Sequence, residues 1–171
     1  RWARIDAPDQ KIDEVARWAR DRQVGRLWVV GSNETTAPVI EESYTRFLRL
    51  LDAHLTEHRF LLGGRPTASD FGVYGQLTQL AIFDPTPAAL ALELAPRVIA
   101  WVDVVEDLSG LQPDGAHWLA RHEIPQSIQA LLAEVGRTYV PFLLANAAAL
   151  EQGAEQVECS IDGKPWVQRP F

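Results

Sequence analysis

The chain has 171 residues, 47% of them hydrophobic, so it can bury one core of moderate size, and we treat it as one domain. Its net charge of −7 argues against nucleic acid as a partner, and it has no basic run that would bind an anionic membrane surface. Charged residues interrupt every apolar stretch before it reaches the roughly 20 residues of a membrane span, and no secretory segment is visible. A single cysteine fits a reducing compartment, so we expect a cytoplasmic protein.

The first predicted element is a helix over residues 8–22, where apolar and small residues recur at helical spacing. The apolar run at 27–30 is too short to assign, and the polar residues 31–36 predict a loop. We find no strand–crossover–strand pattern here or elsewhere in the chain.

Two helices are predicted in the middle of the chain. The first covers residues 38–58, with Pro38 in its first turn and a clear apolar stripe. The second covers residues 67–82 and is apolar or small on nearly every side, which predicts a central, buried helix. Gly72 and Gly75 lie inside it, and each costs about 1 kcal/mol relative to Ala. We expect a neighbouring helix to approach them closely, with room for a ligand as the alternative.

The second half of the chain is also predicted to be mainly helical. A short helix ends near residue 94, and another begins at Pro96 and stops before Gly110. The next begins at Pro125 and continues past Pro141 to residue 150 with a kink.

A hairpin signal follows near the end of the chain. Residues 157–161 and 164–168 read as strands on either side of Asp162 and Gly163, the commonest two-residue hairpin turn. The predicted fold is therefore all-α, a helical bundle with one small β-hairpin near the C-terminus.

Thr67 and Asp70 form a helix-start pattern at the head of the second central helix. A hydroxyl at the N-cap and a carboxylate three residues later can each take a backbone N–H that the helix leaves unpaired. Asp70 also meets the positive end of the helix dipole. By itself, the four-residue segment from Thr67 to Asp70 predicts only an ordinary helix start.

The surrounding stretch, residues 60–71, reads FLLGGRPTASDF and resembles the signature of the glutathione transferase C-terminal domain. In that family, a loop of the form L-x-G-x-x-P-[ST]-x-x-D opens the buried central helix. The resemblance is clearest over residues 36–110, and residues 111–171 are similar to an extension found in some larger bacterial members. It implies a single helical domain over 1–171, with a family core at 1–110 and a helical extension plus hairpin at 111–171. It also implies that Thr67 and Asp70 are a capping and folding element and that no catalytic residue lies in this chain.

The resemblance implies a function that depends on a second domain. Catalysis would resemble attack by a glutathione thiolate, with glutathione as a co-substrate of the full-length parent and no other cofactor. An N-terminal thioredoxin-like domain would bind glutathione and activate its thiol. This chain would supply one wall of the electrophile pocket and the surface that packs on that domain. A homodimer is implied as well.

The chain contains no Met and begins and ends abruptly, so we expect it to be a fragment of a larger protein. Two other hypotheses stay open. The first is a non-catalytic protein-binding module of the same fold. The second is a stand-alone helical protein.

The end of the first central helix carries a motif that also occurs in metal sites. His54, Glu57 and His58 spell H-x-x-E-H, the pattern of inverted zinc peptidases. No acidic third ligand follows on a neighbouring helix, so we expect core and helix-end histidines and no metal site.

Two further signals were also set aside. His117 or His122 could pair with Ser109 or Ser127 on paper, but no nucleophile-elbow motif supports a hydrolase. Cys159 lies in a predicted strand without an adjacent base, which favours a packing role over a reactive thiol.

Overall fold

The computed structural model describes residues 2–5, 26–29, 35–112 and 117–171. The predicted helix at 8–22 lies outside these ranges, as does most of the predicted loop at 31–36. No helix within the described ranges is both long enough and apolar enough to cross a membrane.

The first described elements are two short strands, β1 (Trp2–Ile5) and β2 (Arg26–Val29). They pair in parallel, with Trp2 opposite Arg26. Parallel strands need a crossover connection, so the prediction that the chain has no such pattern was wrong for this pair. Strands of four residues are too short for alternation to distinguish them from other apolar runs, which is why the run at 27–30 could not be assigned.

Helix α1 (Ala37–His54) begins with Pro38 in its first turn, as predicted, and ends four residues earlier than predicted. It carries buried side chains along its whole length, from Val39 through Leu48 and Leu51 to His54. A run of turns follows the helix, in which the Leu55 and His58 N–H groups still donate to carbonyls of its last turn.

Helix α2 (Ala68–Leu77) runs into a π-helical segment (Thr78–Phe83), which α3 (Pro85–Leu94) and α4 (Pro96–Glu106) follow. The prediction that residues 67–82 form one central, buried helix was wrong in two respects. The helix changes to i→i+5 bonding, as the Asp84 N–H bond to the Gln79 carbonyl shows. One of its faces is also exposed, with Phe71 at 48% and Phe83 at 70%. A helix whose residues are apolar on every side can be buried on every side. The sequence pattern does not show whether the covering residues come from the same chain.

A short 3₁₀ turn (Arg121–Glu123) leads into the longest helix, α5 (Gln126–Gln152), which contains Pro141 in its interior as predicted. Gly153 ends α5 in the left-handed region, with a φ of 64°. Strands β3 (Val157–Ile161) and β4 (Lys164–Gln168) then form an antiparallel pair.

The turn between β3 and β4 has positive φ at both central residues, 53° at Asp162 and 76° at Gly163. These values are those of the tight hairpin turn that the Asp-Gly pair favours. The predicted all-α fold with a C-terminal hairpin is thus confirmed in the described part of the chain, with the β1–β2 pair as an addition.

Two apolar clusters hold the described part together, and α1 and α5 contribute to both. The larger one lies among α1 to α4 and the first turns of α5, with Leu48, Trp101 and Ile128 among its buried members. The smaller one joins the start of α1 to the middle of α5 and the hairpin. It consists of Val39, Phe142, Ile161 and Trp166.

An ion cluster lies beside the smaller apolar cluster. Arg46 of α1 donates from Nε to Glu134 of α5 over 2.9 Å and also faces Asp162 in the hairpin turn. Lys164 pairs with Glu42 at the same edge. Glu134 is only 8% exposed, so its carboxylate needs this partner to offset the cost of leaving water. The hydrogen bond that Arg46 donates to this carboxylate raises the pKa of Arg46 above its already high value.

Candidate functional site

Asp70, at the start of α2, is fully buried and accepts three hydrogen bonds. Its Oδ2 atom accepts from the backbone N–H of Thr67 at 2.8 Å and from the Thr67 hydroxyl at 2.7 Å. Its Oδ1 atom accepts from the Leu61 N–H at 2.8 Å, a contact that the sequence pattern did not reveal. The carboxylate therefore joins the helix start to the loop that precedes it.

The same loop is pinned from outside by the segment after α4. Gly63 has a φ of 125°, and a Cβ there would lie 2.5 Å from the carbonyl oxygen of His117. The Gly64 N–H donates to that carbonyl at 3.0 Å, and the Leu119 N–H donates to the Leu62 carbonyl at 2.8 Å. Only glycine fits at position 63, because both the backbone conformation and the space exclude a side chain.

The aromatic ring of Trp118 covers the next part of this loop. The Arg65 guanidinium carbon lies 4.9 Å from the centre of the ring, and the indole N–H donates to the Pro66 carbonyl at 3.4 Å. The signature loop is thus enclosed between α2 and residues 117–119. This position favours a structural role for the loop over contact with a ligand.

His54 of the H-x-x-E-H motif is 1% exposed, and both of its ring nitrogens have partners. Its Nε2 atom lies 3.2 Å from the Phe60 carbonyl, which can only accept, so Nε2 carries the proton. Nδ1 therefore accepts from the Ser127 hydroxyl at 2.8 Å. Burial lowers the pKa of His54, which keeps the ring neutral.

His58 stacks on His54 with ring centres 4.7 Å apart, an arrangement of two rings rather than of two metal ligands. Within the described ranges, no three His, Cys, Asp or Glu side chains are grouped so that they could hold a metal ion.

Ser127 does have a histidine partner, but it is His54 rather than His117 or His122. The pair links the end of α1 to the first turn of α5. A nucleophile also needs a base beside a cleft, and His54 is enclosed in protein. Neither His54 nor Ser127 lines either of the two cavities identified in the described part of the chain.

Cys159 lies in β3 against the smaller apolar cluster. Burial raises the pKa of its thiol, which disfavours the reactive thiolate.

Gly72 and Gly75 meet nothing in the described part of the chain. A Cβ built at either position has no described atom within 4 Å, so no helix of the described part makes the close approach that we expected. They lie on the exposed face of α2, together with Phe71. Contacts with the described part of the chain therefore do not explain why glycine, which destabilises a helix, occurs at these two positions.

An open groove of about 1110 Å³ lies between the first half of α1, the π-helical segment and the start of α3. Its apolar lining includes Ile40, Leu80, Phe83 and Leu90. Charged side chains, among them Glu41 and Arg49, flank it along α1. Ile40 is 44% exposed and Phe83 70% exposed, so the groove presents uncovered apolar surface.

Tyr44 forms part of the wall of this groove and was missed as a site residue by sequence reasoning. Its hydroxyl lies 3.2 Å from the Leu80 carbonyl, in the π-helical segment, and 3.4 Å from the Pro87 carbonyl, in the first turn of α3. Burial raises the pKa of Tyr44 to about 12, so it stays a neutral donor. The available signal was a tyrosine within an apolar stripe, because a buried hydroxyl usually needs a partner.

Comparison with protein families gives one match. The family model described as glutathione S-transferase, C-terminal domain, matches residues 9–103, more than half of the chain. The match begins before residue 36, where the sequence resemblance became clear, and so includes the predicted helix at 8–22. Comparisons with curated proteins and with solved structures found no match. The chain belongs to the glutathione S-transferase C-terminal domain family.

Proposed function

We propose that this chain acts as the C-terminal domain of a glutathione-transferase-like protein and supplies one wall of the pocket for an apolar, electrophilic co-substrate. The observation that carries the proposal is the groove beside α1. It offers apolar side chains and a fixed tyrosine, the composition common in small-molecule sites. It lacks an activated nucleophile, which suits a wall that positions an electrophile while another domain holds the thiol.

The second part of the proposal concerns the thioredoxin-like domain on which C-terminal domains of this family usually pack. The exposed face of α2 suits such a contact, because it combines Phe71 with Gly72 and Gly75, and no described residue lies over the glycines. Small residues allow another backbone to approach closely. Thr67 and Asp70 would then have a structural role, holding this face in position through the hydrogen bonds at the start of α2.

The test of the groove is a nuclear magnetic resonance titration of the chain with 1-chloro-2,4-dinitrobenzene, an aromatic halide. We expect saturable shifts at the groove residues and weak binding, about millimolar, because one wall covers only part of a ligand. The Phe83→Ser variant should lose the shifts. A matched control is Leu92→Ser, which removes an equally exposed side chain of α3 that does not line the groove. Shifts confined to another surface, or equal losses in the two variants, would contradict the proposal.

The test of the packing face is amide hydrogen exchange with a glutathione-binding thioredoxin-like domain added in trans. Exchange along α2 should slow if that domain packs there. Slowing on another face with no change in α2 would place the contact elsewhere.

A further inference from the structure

Residues 117–119 form the outer edge of a small antiparallel arrangement built on the signature loop. Phe60 and Gly63 exchange backbone hydrogen bonds, and Gly63 lies opposite Trp118. The loop and the outer segment are joined by hydrogen bonds on either side of this opposed pair, at 3.0 and 2.8 Å. In such an antiparallel pair, the N–H and C=O of each member point away from the other member. The backbone N–H and C=O of Trp118 therefore point away from the loop, and we call this side of residues 117–119 the Trp118 edge.

The Trp118 edge has open hydrogen-bonding groups. No described residue bonds to the backbone N–H or C=O of Trp118, and the residue is 56% exposed. A strand edge of this kind is where another extended chain can add by backbone hydrogen bonds. The edge is also held in place, because the segment is bonded to the loop on both sides of Trp118 and the indole N–H donates to the Pro66 carbonyl. A fixed edge loses little conformational entropy when a partner binds.

The side chain of Trp118 adds apolar surface beside this edge. Arg65 covers one part of the ring, with its guanidinium carbon 4.9 Å from the ring centre. More than half of the residue stays exposed in spite of this contact. Trp and Arg are among the residues that most often dominate the binding energy of protein interfaces.

Three arginines lie in the two segments that meet at this edge. Arg59 and Arg65 lie in the loop segment, and Arg121 follows Trp118 in the outer one. Arg59 and Arg121 are exposed, and Arg65 is half-buried. None of the three forms an ion pair with a described carboxylate. Unpaired guanidinium groups suit carboxylates, which they bind through two parallel hydrogen bonds.

Charge decides which kind of partner fits. The same segments carry Glu57 and Glu123, and the Glu123 carboxylate already accepts from the Ala120 N–H at 2.8 Å. The three arginines outnumber these two carboxylates, so the edge is positive within a chain of net charge −7. A long nucleic acid or an anionic membrane would also meet the acidic remainder of the surface and be repelled. A short acidic segment responds mainly to charges within the Debye length, about 8 Å at physiological salt.

We propose that the Trp118 edge binds an extended, acidic segment of another protein. One residue of that segment pairs with the backbone N–H and C=O of Trp118. Directly opposed residues of paired strands place their side chains on the same face, so an apolar side chain at this residue lies beside the indole ring. Residues two positions away in the segment share that face, and carboxylates there lie about 7 Å further along, within reach of the arginines.

The test is a nuclear magnetic resonance titration of the whole chain with a short peptide, acetylated and amidated, in which one isoleucine lies between two pairs of glutamates. We expect saturable shifts at the backbone amides of residues 117–119 and at the Trp118 indole N–H, with a Kd of about 0.1–1 mM. Raising the salt from about 50 mM to about 500 mM should weaken binding roughly fivefold, because the attraction is screened. The same peptide with lysines in place of glutamates should not bind.

Two further changes separate charge from backbone pairing. The double variant Arg59→Glu, Arg121→Glu should weaken peptide binding at least about tenfold. Its control is Arg169→Glu, the same change at an exposed arginine directly after β4, which packs near the start of α1 and away from the loop. N-methylation of the isoleucine amide removes the donor to the Trp118 carbonyl and should weaken binding about fivefold. Circular dichroism checks that each variant is folded.

Four results would overturn the proposal. The first is the absence of shifts at residues 117–119 with several millimolar peptide, or equal binding of the lysine peptide. The second is an equal loss of binding in the double variant and in Arg169→Glu, since the attraction would then belong to no particular face. The third is unchanged binding of the N-methylated peptide, which would exclude backbone pairing. The fourth is a DNA oligonucleotide or a phosphatidylglycerol vesicle that shifts the same residues at lower concentration than the peptide.

Discussion

Replacing Asp70 with alanine should destabilise the chain far more than the loss of an ordinary helix cap. A cap contributes about 1 kcal/mol, and a buried N–H that loses its acceptor costs about 1–3 kcal/mol. Asp70→Ala does both, because it removes the cap at Thr67 and leaves the Leu61 N–H without its acceptor in a buried position. We therefore expect a loss of about 2–4 kcal/mol in the free energy of unfolding.

The assay is urea unfolding followed by circular dichroism. With a slope of about 2 kcal/mol per molar, the midpoint should fall by roughly 1–2 M. Asp84→Ala is the matched control, since Asp84 caps α3 through the Thr86 N–H in a more exposed setting and should shift the midpoint by only about 0.5 M. Asp70→Asn keeps the shape but offers one acceptor to three donors, so it should recover only part of the loss. Equal midpoints for Asp70→Ala and Asp84→Ala would refute the reasoning, because the contact with Leu61 would then contribute nothing.

Three further predictions concern stability and binding. Because burial lowers the pKa of His54, the unfolded chain binds a proton more readily than the folded one, so stability should fall as the pH drops below about 6.5. Urea midpoints measured between pH 5 and 7.5 should therefore decrease as the pH falls. This pH dependence should be weaker in His54→Gln and unchanged in the exposed-site control His122→Gln. Gly75→Ala should raise the free energy of unfolding by about 0.5–1 kcal/mol, since its Cβ meets none of the described residues. Gly63→Ala should lower the free energy of unfolding by about 2 kcal/mol or more, through backbone strain and the clash with His117. Equal effects of the two changes would contradict this reasoning. Finally, the chain alone should neither bind glutathione measurably by calorimetry nor conjugate it to an aromatic halide, because activating a thiol of pKa about 8.5 requires positioned donors and positive potential. Saturable micromolar binding would disprove that expectation.

The elements that could be predicted from the sequence are those whose signals are local. Helix α1 was found because one stripe repeats over its whole length, and α5 because its pattern continues through Pro141. The hairpin was found because Asp162 and Gly163 adopt positive φ more readily than most residues. In each case the information lies within one or two turns of chain.

The features that were missed depend on partners far away in the sequence. Ser127 lies 73 residues from His54, so nothing in either neighbourhood indicates their hydrogen bond. The constraint on Gly63 comes from the carbonyl of His117, which belongs to a different segment. Tyr44 likewise bonds to the Leu80 and Pro87 carbonyls, which lie 36 and 43 residues away in the sequence. A periodic pattern indicates which face of an element is buried, but it does not identify what covers that face.

These distant contacts also bear on how the extension relates to the family core. The extension pins the signature loop at Gly63, bonds to the end of α1 through Ser127, and pairs with its middle through Glu134. The smaller apolar cluster adds Val39, at the start of the same helix. Helix α1 is therefore held at both ends and in the middle by residues beyond 110, and it also forms part of the larger core. Loss of the extension would leave Arg46, His54 and one side of the loop without their partners at once. We therefore propose that residues 35–112 and 117–171 fold as one unit rather than as a core with an appendage.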